Sequence, residues 1–120
     1  MENIKRIRRG DIYYTNIEDI GQAVGSEQSG SRPAVVIQND VGNKYSPTTI
    51  VAFITTKPKK YLPTHVRLHT KMLFFSSTVM LEQIRTVSKD RLEKYIGTLN
   101  KAEMEKIDRA ICVSLDIKET

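Results

Sequence analysis

The run Thr48-Thr49-Ile50-Val51-Ala52-Phe53-Ile54-Thr55 constrains the fold more than any other feature of the chain. β-Branched side chains are restricted at χ1 beside a helical turn but pack well on a pleated surface, so the run reads as a strand. Its apolar centre, residues 50–54, does not alternate with polar residues and reads as largely buried. Residues 34–39 have the same character, and both runs are bounded by Pro, Gly and Asn. Residues 10–16, rich in Tyr and Ile, form an earlier strand. His65-Val66-Arg67-Leu68-His69 alternates strictly, which sets both histidines and Arg67 on one face and Val66 and Leu68 on the other. Residues 78–85 are the fifth strand candidate. Residues 57–63 form a loop, because Pro58 and Pro63 remove ladder donors and bias their predecessors away from helix.

Helical periodicity occurs once, near the carboxyl end. Asn100-Lys101-Ala102-Glu103 has the pattern of a capping box, in which the Asn100 side chain accepts a first-turn amide and Glu103 reaches back. Met104, Ile107, Ile111 and Leu115 then recur at helical spacing, giving one apolar packing stripe. The expectation is a single domain over residues 1–120: mainly β, a five-stranded, strongly twisted antiparallel barrel followed by a carboxyl-terminal α-helix. So small a barrel leaves little room inside for a ligand, which places function on its outer face and in its loops.

Composition removes several function classes. The apolar run at 50–54 is far shorter than the roughly 20 residues of a spanning helix, and no apolar leader follows the basic amino terminus, so the chain is read as cytoplasmic. Cys112 is the single cysteine, which excludes an internal disulfide, and with only His65 and His69 beside it no zinc set is available; neither metal nor cofactor is expected. Cys112 itself reads as a small buried apolar residue. The net charge of +5 and pI near 9.4 favour polyanionic partners, since excess Lys and Arg displace counterions from phosphates.

Residues 19–31 form a long polar connection with glycines at 21, 25 and 30, and loops of this length are usually functional or disordered. No strand leads directly into these glycines and no helix follows, so they do not match a phosphate-cradling fingerprint. Arg32 comes next, held extended by Pro33 at the rim of the following strand, a good place for a phosphate-binding fork; an ordinary surface arginine is the alternative.

Longer motifs give the site a context. Arg9-Gly10-Asp11-Ile12-Tyr13-Tyr14, Val24-Gly25-Ser26-Glu27-Gln28, Arg32-Pro33, Val36-Ile37-Gln38-Asn39-Asp40, Gly42-Asn43-Lys44-Tyr45-Ser46-Pro47-Thr48, Ile54-Thr55, Leu62-Pro63-Thr64-His65-Val66 and Leu81-Glu82-Gln83-Ile84-Arg85-Thr86 together resemble the MazF/PemK toxins in order and spacing, over nearly the whole chain. The resemblance implies a five-stranded SH3-like barrel, a homodimer, and sequence-specific, metal-independent cleavage of single-stranded RNA, including mRNA. It also implies a cognate antitoxin whose flexible acidic segment covers the RNA groove, occluding Arg32 and displacing the 19–31 loop. The family's catalytic arginine and threonine fall on Arg32 and Thr55.

The chemistry suits these side chains if the ribose 2′-hydroxyl is the nucleophile, since positioning and charge stabilisation are then most of what the protein must supply. Arg32 would neutralise the phosphate oxygens, while Thr55 would hydrogen-bond the phosphate or orient the attacking hydroxyl. His65 with His69 is the competing acid–base pair, because histidine titrates near neutrality. RNA contacts are expected at Gln28, Asn39, His65, Ser77, Glu82, Gln83 and Arg85, residue types that can pair with exposed base edges; strand-surface solvation, or a Glu82–Arg85 ion pair, is the bland alternative. Residues 71–77 depart from the family in being shorter, with Ser76 where an acid is expected, which leaves Phe74 and Phe75 for base stacking, a dimer contact or core filling. Two further functions share parts of this pattern. A gyrase-poisoning toxin of the same fold relies on a carboxyl-terminal tryptophan, which this chain lacks; a non-catalytic RNA-binding module would not need both Arg32 and Thr55.

Overall fold

In a computed structural model of the chain, residues 6–17, 30–57, 60–69, 73 and 76–118 are described. The strands are β1 (Asp11–Asn16), β2 (Ser31–Val36), β3 (Thr48–Thr55), β4 (His65–Leu68), β5 (Ser77–Ser88) and β6 (Leu92–Thr98). Among the described residues they are joined by two α-helices, α1 (Asp40–Tyr45) and α2 (Lys101–Leu115), and a 3₁₀ turn at Lys89–Arg91. All strand pairs are antiparallel, in the order β4-β5-β3-β2-β1-β6.

The mainly β architecture with a terminal helix agrees with the expectation, but the strand count and the closure do not. The sheet has six strands rather than five, and it is open: among the described residues β4 and β6 are its two edges. β6 escaped the sequence reading because it is a charged edge strand, Leu92-Glu93-Lys94-Tyr95-Ile96-Gly97-Thr98, in which only Leu92 and Gly97 are buried. The sheet does not close because β4 has only four residues and packs beside α2 instead of meeting β6. β2 begins at Ser31, so Arg32 and Pro33 lie inside a strand; the β2–β3 ladder starts only at Ala34↔Phe53, which leaves the ring of Pro33 outside it. α1 was also missed, although its N-cap was in plain sight: the Asn39 side chain accepts from the Gly42 amide at 2.7 Å.

Both faces of the sheet bury apolar surface. One face, with Ile12, Val35, Ala52, Ile54, Val66, Val79 and Leu81, packs under α2 through Ile107 and Ala110. The other gathers Tyr13, Ala34, Val36, Val51, Phe53, Met80 and Leu92. The two-residue alternation along each strand distributes side chains between these clusters. α2 begins with the expected capping box, Glu103 N–H to Asn100 Oδ1 at 2.8 Å and Asn100 N–H to Glu103 Oε1 at 3.1 Å. Its stripe is buried only in part, since Ile107 is inaccessible whereas Leu115 is 57% exposed. Gly10 has φ +97°, a conformation that L side chains rarely adopt, so glycine there serves the backbone turn that leads into β1.

The β2–β3 connection is fixed by a buried polar hub. Asn43, 2% exposed, donates to the Gln38 carbonyl at 2.9 Å and accepts from Thr49 Oγ1 at 2.6 Å and Gln38 Nε2 at 3.1 Å. Arg9 ties three elements together: its amide binds Asp40, its Nε the Ile37 carbonyl, and its Nη2 Asp108 of α2 at 2.7 Å. β5 is sharply bent. From Ala52↔Ile84 to Ile54↔Val79, β3 advances two residues while β5 advances five, which leaves the extra residues around 80–83 bulged out of the ladder.

Candidate functional site

Arg32 and Thr55 stand on one face of adjacent strands. The β2–β3 pairing runs Val36↔Val51, Val35↔Ala52, Ala34↔Phe53; carrying that register two residues further sets Arg32 opposite Thr55. Alternation then puts both on the face of Ala34 and Phe53. The Arg32 guanidinium lies over the Phe53 ring, 5.4 Å from its centroid, so a buried aromatic face supports the cation from below. Among the described residues Arg32 makes no ion pair, and its planar donors are free for an oxyanion. Thr55 is 8% exposed, and its Oγ1 accepts from the Lys57 amide at 3.1 Å, which turns the chain at the strand end and fixes the hydroxyl rotamer.

Behind Arg32, the stem of the β1–β2 hairpin is clamped from β6. Glu93 accepts from Ser31 Oγ and from Asn16 Nδ2, and Asn16 pairs with Ser31 in the ladder. The connection expected to be functional lies, apart from its last residues, outside the described residues, as do Gln28, Phe74 and Phe75.

The Leu81-Glu82-Gln83-Ile84-Arg85-Thr86 motif occupies the bulge and the strand that follows. Glu82 accepts from Thr64 Oγ1 at 2.7 Å and contacts His65 Nε2 at 3.0 Å. Partial burial alone would raise the Glu82 carboxyl, but hydrogen bonds from Thr64, His65 and the backbone, with the attraction of His65, outweigh it and hold the group below its ordinary value. Glu82 therefore pairs with His65 rather than with Arg85. His65 has a side chain only 4% exposed and its Nε2 engaged, whereas His69 is exposed. The two histidines are not presented as an exposed acid–base pair.

The remaining predicted contacts are spread out. Gln83 and Arg85 are exposed, and Arg85 pairs with Val51, on the Arg32 face but farther along β3 from Thr55. Ser77 is buried at the start of β5. Asn39 is exposed beyond the opposite end of β2 from Arg32, and its side-chain oxygen caps α1. Cys112 is free and half-buried on α2. Among the described residues no group of His, Cys, Asp and Glu is placed to hold a metal ion.

Sequence reasoning did not find two features of this surface. One is the Phe53 platform under Arg32, which follows only from cross-strand register. The other is a cavity of about 190 Å³ beside Thr55, lined by Thr56, Lys57, Arg67, His69, Ser76 and Thr78 among others. Arg67 and His69, on one face of the 65–69 alternation, were its only sequence signal. A larger hollow of about 400 Å³, between β4 and α2, shares Arg67 and His69; Arg32 and Thr55 are in the lining of neither, and the smaller one adjoins Thr55 through Thr56 and Thr78.

Comparison with known proteins agrees with this architecture. Residues 8–115 match the model of the family described as PemK-like, MazF-like toxin of type II toxin-antitoxin system. The chain is 48% identical over 112 residues to Endoribonuclease EndoA of Bacillus subtilis (strain 168), covering 91% of this chain and 94% of that protein. Among solved structures, an endoribonuclease from a mycobacterial species superposes with a TM-score of 0.80 at 22% identity, over 99% of this chain and 100% of the other. A mycobacterial endoribonuclease in complex with its cognate antitoxin gives a TM-score of 0.77 at 25% identity, over 94% of this chain and 98% of the other.

Proposed function

Because the chain belongs to the PemK-like, MazF-like toxin family of type II toxin–antitoxin systems, we propose that it is a sequence-specific endoribonuclease of one domain that cuts single-stranded RNA without a metal, with Arg32 and Thr55 at the reacting phosphate. The observation that carries the site is their placement on one face at the ends of adjacent strands, with the Arg32 guanidinium braced on Phe53.

In this reading the ribose 2′-oxygen attacks the adjacent phosphorus, the bond from phosphorus to the 5′-oxygen breaks, and the products carry a 2′,3′-cyclic phosphate and a 5′-hydroxyl. The proton lost by the 2′-hydroxyl is balanced by one gained at the leaving 5′-oxygen. The substrate supplies its own nucleophile, so the protein's contribution is alignment and stabilisation of negative charge. Arg32 presents a fixed cationic fork to the non-bridging oxygens, already desolvated on its Phe53 side. Thr55, held by the Lys57 amide, offers a hydroxyl of set direction to the same phosphate.

Gln83 and Arg85, both exposed, are the described residues that best suit base readout on the β5 side, with Glu82 and His65 shaping the bulge that carries Gln83, whereas Ser77 is buried. In this reading the chain works as a homodimer in the cytoplasm and is checked by a cognate antitoxin, as a mycobacterial endoribonuclease in complex with its antitoxin suggests. The net charge of +5 suits an acidic antitoxin segment laid over Arg32, since opposite charges speed encounter and an acidic peptide mimics a phosphate track.

The test is incubation with a long RNA in chelator, mapping cut sites and end groups. Cuts at one short word with cyclic-phosphate ends, lost in Arg32→Ala and Thr55→Ala, are expected. Activity that survives both substitutions but disappears when His65 and His69 are replaced would move the chemistry elsewhere.

A further inference from the structure

The cavity beside Thr55 continues the row that carries the proposed catalytic pair. Thr55 pairs with Thr78 of β5, and Thr78 pairs with Arg67 of β4. Paired residues in antiparallel ladders share a face, so Thr55, Thr78 and Arg67 form one line across three strands, and the β2–β3 register carried two residues past its last pair extends the line to Arg32, with an arginine at each end. Thr56 and Lys57, which follow Thr55 directly, turn the chain so that Lys57 and Arg67 both line the cavity. Thr56, Leu68, His69, Ser76, Ser77 and Thr78 complete its described lining, in which there is no carboxylate. Among the described residues Arg67 makes no ion pair.

Among the described residues, two cations without an ion pair border a hollow that threonines and serines also line and that has no carboxylate in its described lining; together they form an anion site by charge and by hydrogen-bonding capacity. At about 190 Å³ the cavity is smaller than the roughly 300–1,000 Å³ of drug-sized ligand sites, and suits a single phosphate group rather than a whole nucleotide. We infer that it is a second phosphate subsite for the RNA strand, in which Arg67 and Lys57 hold a phosphate flanking the scissile one; this rests on the ribonuclease reading above. The subsite fixes the direction in which the strand leaves Arg32, across Thr55 and Thr78 towards the β4 edge. It contributes binding to ground state and transition state alike, so its loss raises KM and leaves kcat nearly unchanged.

The experiment uses an oligoribonucleotide carrying the recognised word, with a 2′-deoxy sugar at the scissile position so that it binds without being cut. Arg67→Ala and Lys57→Ala, both at exposed side chains, should each lower the slope of log K against log salt concentration by about 0.7, the loss of one phosphate contact on a single strand. Arg67→Lys should restore most of the slope. Replacing one flanking phosphate by a neutral methylphosphonate should make wild type and Arg67→Ala bind alike, and scanning the substitution along the strand locates that phosphate. In parallel, the cleavable RNA should show a raised KM at constant kcat.

Cleavage by the unaltered chain with a salt slope unchanged in both alanine variants overturns the subsite alone. A reduced slope that no methylphosphonate position abolishes also overturns it, since the effect is then a general change of charge. Absence of RNA cleavage by the unaltered chain overturns the ribonuclease reading, and the subsite with it.

Discussion

Thr55→Val separates a chemical role for the Thr55 hydroxyl from a structural one. The residue is 8% exposed, and among the described residues its hydroxyl has one partner, the Lys57 amide at 3.1 Å. Valine keeps the branched shape, so no cavity opens. Lys57 is exposed, so its freed N–H turns to water instead of remaining orphaned. The folding cost is then that of one ordinary hydrogen bond, about 0.5–1.5 kcal/mol. For a chain of this size that lowers the melting temperature by a few degrees. Loss of a preorganised donor at a reacting phosphate costs far more, about 10²- to 10³-fold in kcat. The assays are thermal unfolding by circular dichroism and initial rates of cleavage in chelator, with Thr55→Ser as the variant that retains the hydroxyl. Thr55→Val should melt within a few degrees of wild type while cutting at least about a hundredfold more slowly, and Thr55→Ser should recover most of the rate. A valine variant that cuts within about threefold of wild type, far less than a lost oxyanion donor costs, would refute the argument. A serine variant as slow as valine would show that the methyl group, not the hydroxyl, was needed.

Arg32→Lys keeps the charge but loses the planar fork and its stacking on Phe53, and should lower kcat/KM by at least about tenfold in the same cleavage assay; equal activity would reduce the residue to a point charge. Asn43→Ala removes a buried hub and strands the Thr49 hydroxyl, so urea unfolding should show a loss of about 2–4 kcal/mol while the cut sites stay unchanged. Glu82 has a depressed carboxyl, so its contribution to stability is complete above the ordinary value of 4.5 and is lost as pH falls through its lower folded value. The melting-temperature gap between wild type and Glu82→Gln should therefore close as pH drops below 4.5, and a gap that widened there would reverse the assigned shift.

Residues 48–55, the 65–69 alternation and the Asn100–Glu103 capping box were legible because each depends on contacts close in sequence: β-branched packing, two-residue periodicity, a side chain reaching the first helical turn. β3 and α2 form where those signals lie. β6 was not legible, since an edge strand such as Leu92–Thr98 needs only one paired side and carries the charges expected of a loop. For the same reason the open sheet could not be told from a closed one: whether β4 meets β6 or α2 is decided by which surface remains uncovered once β5 has bent at its bulge.

The site divides in the same way. Motif order and the Arg32-Pro33 and Ile54-Thr55 pairs marked two residues by type and position, and the sequence determined that much alone. Register decided that they share a face, that Phe53 lies beneath the guanidinium, that His65 turns inward to Glu82, and that Arg67 closes the row beyond Thr78. Each of these is a relation between strands far apart in the chain. Alternation shows which residues of one strand share a face, but only cross-strand hydrogen bonding sets which residues of the next strand stand opposite them.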